Sequence, residues 1–116
     1  MSVKTTKARI LLVEGKRADR PSFAFGLDKK GYQVDSVPNG SAAITRLTEA
    51  RPDVVIVDAA SMRTSGKRIC QSLQKNAAGI PVILILDPLS EAGELPGADV
   101  VLVLPFTLQK LVNRIR

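Results

Sequence analysis

Short apolar runs alternate along this chain with longer amphipathic stretches. The runs are ARILLVE (residues 8–14), GYQVDSV (31–37), DVVIVD (53–58), IPVILIL (80–86) and ADVVLVLP (98–105). GYQVDSV alternates apolar with polar, whereas the others place branched aliphatics at consecutive positions, as strands do when both faces of their sheet are covered. The stretches between them follow helical spacing. NGSAAITRLTEARPD sets Ala43, Ile44, Leu47 and Ala50 on one side of a helix that must close before Pro52. GKRICQSLQKNAAG carries an Ile69, Cys70, Leu73 stripe, and TLQKLVNRIR repeats Leu108, Leu111, Val112 and Ile115 at i, i+3, i+4 and i+7. After the first run, Asp19 is the expected cap of a helix with Pro21 in its first turn, and Phe23 and Leu27 share its inner face.

Five strands spaced by helices predict an α/β fold: a doubly wound, five-stranded parallel sheet covered on both sides. With 116 residues and no linker, repeat or low-complexity segment, residues 1–116 form a single domain. In such sheets ligands bind outside the carboxyl ends of the strands, near the point where strand order reverses. Glu14 ends the first run and Asp58 the third, so two acids are expected to flank that crevice. Paired carboxylates there suit a hard cation such as Mg²⁺, while strand-end acids that merely meet solvent explain the same pattern.

Composition narrows the chemistry. The chain has no histidine and one cysteine, which excludes the common zinc sites and every histidine-based acid/base or nucleophile system. Neither common Gly-rich phosphate loop is present, so the chain is not expected to be an enzyme. Seventeen Lys and Arg against eleven acids give a net charge of +6, which admits a nucleic-acid or nucleotide-binding module as one reading. The basic residues are scattered, however, and only four aromatic side chains, three Phe and one Tyr, could stack on bases. A solvated basic surface is the better account, and nucleic acid is not an expected partner. No apolar stretch is long enough for a membrane span and no signal peptide opens the chain, so a cytoplasmic location is expected. Cys70 reads as a small buried hydrophobe.

The ordered pieces ILLVEG, PDVVIVDAASMRTSG, IPVILIL and GADVVLVLPF resemble the receiver domain of bacterial two-component response regulators over almost the whole chain. That resemblance implies a flavodoxin-like sheet of strand order 2-1-3-4-5. It places Glu14 at the first position of the family's acidic pair, Asp58 at the phosphoacceptor aspartate, Gly66 at the glycine eight residues on, and Pro105-Phe106 at the Pro-Phe after the last strand. It also implies a cis peptide between Leu104 and Pro105.

Several positions depart from the family. Gly15 stands where the second acid would be, leaving Glu14, Asp58 and the carbonyl of Ala60 as the implied magnesium ligands. Mg²⁺ holds its waters tightly, so it is expected to bind at most weakly, and no other cofactor is expected. Leu104 replaces the lysine that would meet the phosphoryl oxygens, Leu86 replaces the Thr or Ser that would hydrogen-bond them, and Val101 replaces the aromatic switch residue. Phosphoryl transfer depends on positioned charge, and most of it is gone. Lys16 and Arg17 either pair with Asp58 or Glu14 in place of the missing cations or point to water. The fourth crossover, DPLSEAGELPGAD, is thirteen residues broken by two prolines and two glycines, so the fourth helix is expected to be shortened or missing.

The reading that follows is a degenerate, pseudo-receiver module that acts by protein-protein interaction. Its partner would be a kinase, an effector domain or a second copy. A homodimer through the fourth crossover, fifth strand and last helix is one route, because the short crossover should uncover apolar area there. A working phosphoacceptor at Asp58, in the two-component phosphorelay of its family, is the rival reading. The chain halts in or just after a helix, as expected of a domain excised from a longer signalling protein.

Overall fold

The computed structural model describes residues 8–15, 22–61, 66–76, 79–86 and 98–115. The chain alternates strand and helix from the start. β1 (Arg9–Glu14) leads to α1 (Phe23–Lys29), β2 (Gln33–Val37), α2 (Gly40–Glu49) and β3 (Val54–Asp58). A 3₁₀ turn over Ala59–Ser61 then precedes α3 (Gly66–Asn76), β4 (Val82–Leu86), β5 (Val100–Val103) and α4 (Leu108–Ile115). The sheet is parallel throughout, in the order β2-β1-β3-β4-β5.

Alternation along each strand divides the apolar residues between two cores. Leu11 and Val13 of β1, Val55 and Val57 of β3, and Leu84 and Leu86 of β4 pack beneath α2 and α3, against Ala43, Ile69, Cys70 and Leu73. Ile10, Leu12, Val54, Ile56, Ile83, Ile85 and Leu102 pack on the other face, against Leu27 of α1 and Leu111 and Val112 of α4. A sheet clothed on both faces needs this doubled supply of aliphatics, which is why β3 and β4 are buried at every position.

Two expectations need correction. The cap of α1 is Ser22, whose side chain accepts the N–H of Ala24, and not Asp19, which lies outside the described residues. Ala50 does not face inward: it leaves the helix as the extended C-cap of α2 and is exposed, because Pro52 forces the chain straight. Apolar area lies open on the edge strand, where it is expected, but not on the strand beside it. β4 is buried, but β5 leaves Val101 41% and Val103 43% exposed. The crossover where a shortened or missing fourth helix is expected (residues 87–97) lies outside the described residues. Among those residues there are four α-helices, and none is long and apolar enough to cross a membrane.

α1 and α4 approach closely. A Cβ built on Gly26 would lie 2.9 Å from a methyl of Leu108, so a larger residue there would require that leucine to shift. Phe23, at the head of α1, stacks on Phe106 with centroids 5.5 Å apart and planes 5° from parallel. The Leu104–Pro105 peptide is cis.

Candidate functional site

The two acids meet at the carboxyl end of the sheet. Parallel pairing sets Glu14 directly opposite Asp58, and by alternation both fall on the α1/α4 face with Leu12 and Ile56. Their surroundings then differ. Asp58 is fully buried, a costly position for a carboxylate and one that marks a site in which polar groups are positioned with care. Glu14 is half-buried and its carboxylate is turned to the start of α1. One oxygen accepts the Ser22 hydroxyl and the other the backbone N–H of Phe23, at 3.2 Å. The orphan N–H groups of a helix's first turn attract a carboxylate in just this way.

Ser61 completes the floor and was not singled out from the sequence. Its hydroxyl is completely buried, donates to the Asp58 carbonyl at 2.8 Å and accepts the Gly15 N–H at 2.9 Å. One side chain thus ties the end of β1 to the turn after β3. The signal for it was faint: a small polar residue three positions beyond a strand-end acid.

Of the other family positions that the structure describes, Leu86, Leu104 and Val101 carry apolar side chains. Leu86 is buried in the core beneath α2 and α3, and Leu104 is half-buried against the core beneath α1 and α4. The Leu104 N–H donates to the Leu86 carbonyl at 2.9 Å, which extends the β4–β5 ladder by one rung. Val101 sits outward on the edge strand. Gly15 is placed by its N–H alone, and Ala60 lies in the 3₁₀ turn. Lys16 and Arg17 lie outside the described residues. As donors for Mg²⁺ this set fits poorly, since both oxygens of Glu14 are engaged with α1 and Gly15 brings no carboxylate. Among the described residues no group of three or more His, Cys, Asp or Glu is placed to hold a metal.

Comparison with known proteins defines the class. The family model for the response regulator receiver domain matches residues 10–116, and the chain belongs to that family, the regulatory input module of two-component response regulators. Among curated relatives, the response regulator MprA of Mycolicibacterium vanbaalenii is 35% identical over 112 residues, covering 93% of this chain and 48% of that protein. MprA of Mycobacterium leprae is also 35% identical over 112 residues, with 93% and 49% covered. The chain therefore spans about half the length of the curated relatives it matches. Among solved structures, the chemotaxis response regulator CheY4 of Vibrio cholerae superposes with a TM-score of 0.77 at 25% identity, over 96% of this chain and all of that one. The receiver domain of the sensor histidine kinase PA1611 of Pseudomonas aeruginosa, which holds a magnesium ion in its active-site cleft, gives 0.79 at 21% identity, over 93% of each chain.

Proposed function

We propose that this domain is a receiver in form whose Asp58 is phosphorylated poorly or not at all, and that it signals by docking to another protein. The observation that carries this reading is the state of the crevice. Asp58 is sealed from solvent, its neighbour Glu14 is spent on the N-terminus of α1, and the strand ends beside it carry Leu86 and Leu104. An incoming phosphoryl group would add negative charge where Leu86 and Leu104 offer its oxygens neither a hydroxyl nor a cation. Asp58 then serves as a fixed polar element of the fold. The partners consistent with the family are a kinase, an effector domain or another copy, and the half-exposed Val101 and Val103 on β5 favour an edge contact.

The test is incubation with acetyl phosphate and Mg²⁺, followed by intact mass. The native chain is expected to gain no stable phosphoryl adduct, whereas a Gly15→Asp, Leu86→Thr, Leu104→Lys triple variant, which restores the ligand, the hydroxyl and the cation, is expected to gain one on Asp58. An adduct on the native chain that disappears in Asp58→Asn would overturn the reading in favour of a working phosphoacceptor.

A further inference from the structure

The first helix is held at its head from two sides. α1 has seven residues, about half the length at which a helix stands alone in water, and its first turn carries no acid of its own. That negative charge is brought by Glu14 from the end of β1. One carboxylate oxygen accepts the Ser22 hydroxyl and the other the Phe23 N–H at 3.2 Å, while the Ser22 hydroxyl oxygen accepts the Ala24 N–H at 3.0 Å. A carboxylate outside the helix thus sets the position of its first turn.

Phe23 belongs to that turn and is tied a second time through its ring, which lies flat on Phe106 with centroids 5.5 Å apart. Phe106 stands three residues after β5 and two before α4. On its helix side Thr107 takes the Lys110 N–H on its hydroxyl at 3.1 Å. On its strand side Leu104 reaches β4 through the Leu86 carbonyl at 2.9 Å. The head of α1 therefore joins the end of β1 to the junction of β5 and α4, although β3 and β4 lie between those strands in the sheet. One tie is a charge-assisted hydrogen bond and the other an aromatic stack, and both meet in a single residue.

We infer that Phe23 is a coupling residue: it makes the Glu14 carboxylate and the β5–α4 junction respond to each other, so that a change imposed at one is registered at the other. A partner docked on the β5 edge, as proposed above, would be felt in the crevice by this route. The coupling itself stands without that reading and without phosphorylation of Asp58.

The experiment follows amide shifts and hydrogen exchange in the whole chain, with the Leu12 amide in the core as the reference for global stability. Coupling between two places is reciprocal, so each is changed in turn. Glu14→Gln, and separately Ser22→Ala at an exposed position, should shift the Thr107 and Lys110 amides at the head of α4. Phe106→Leu should speed exchange of the Phe23 N–H about tenfold beyond any change at Leu12, although it leaves the acceptor on Glu14 in place. Phe106→Tyr, which keeps the stack, should exchange like the native chain at Phe23. Asp53→Ala, at the amino end of the sheet, should move none of these amides. The inference is overturned if the Glu14 and Ser22 variants leave Thr107 and Lys110 unmoved, or if Phe106→Leu speeds Phe23 no more than Leu12. It is equally overturned if Phe106→Tyr behaves like Phe106→Leu, or if Asp53→Ala shifts the same amides as far.

Discussion

The two ends of the sheet use their acids in opposite ways. At the amino end, Asp53 and Asp99 each sit just ahead of a strand and close the same ring with a neighbour. Asp53 accepts the Arg9 N–H at 2.7 Å and returns its own N–H to the Arg9 carbonyl at 2.9 Å. Asp99 does the same with Val82, at 2.7 and 2.8 Å. These carboxylates are exposed and fasten β1 to β3 and β4 to β5. At the carboxyl end Glu14 fastens α1, while Asp58 is buried and the fastening between β1 and β3 passes to the Ser61 hydroxyl. Where backbone N–H groups are within reach, an acid becomes a structural clasp. Where the strands diverge into a crevice it is left as chemistry, unless neighbours supply no charge to work with.

The contrast can be broken at its strongest point first. Ser61→Ala removes the hydroxyl that ties Gly15 to Asp58 and takes a hydrogen bond from each backbone group, so a loss of about 1–3 kcal/mol is expected in chemical denaturation. A loss below a few tenths would mean that the β1 and β3 ends hold without it. Asp99→Ala should cost about 1–2 kcal/mol, because its hydrogen bond to Val82 is charge-assisted and half-buried. Asp53→Ala should cost about 1 kcal/mol, being more exposed, and the two losses should add, since the clasps share no partner.

The smallest effect concerns Cys70, buried on the inner side of α3. Burial, helped by the nearby Asp99 charge, pushes its thiol up to about 11. The folded state thus keeps the proton that the unfolded chain gives up near its ordinary value of about 8.5. This contribution to stability is complete below about pH 8.5 and fades as pH rises toward 11. Asp99→Asn should lower the thiol value only slightly, because burial is the larger cause. A return to the ordinary range, followed by thiolate absorbance, would instead make Asp99 the dominant influence.

Much of the fold was legible because its determinants are local and repeated. Aliphatics on both faces of β1, β3 and β4 signalled cover on both faces, and the helical stripes led to the residues that α2, α3 and α4 bury. The misreadings arose where several local choices were equally good. Asp19 and Ser22 can both cap a helix, and Ala50 lies one residue beyond where the approach to Pro52 ends the helix. The position of the acids was readable, and the structure sets Glu14 and Asp58 side by side. Their partners were not, since whether a carboxylate turns to a cation, a hydroxyl or a helix end is decided by angles that only the assembled sheet provides. Ser61 escaped notice for the same reason: nothing in the order AAS distinguishes a buried bridge from a solvated loop.

Leu108 seated against Gly26, with Phe23 lying flat on Phe106, gives the first and last helices a shared seam. A bulkier side chain at position 26 is therefore expected to disturb both helices at once, since Leu108 must give way to it.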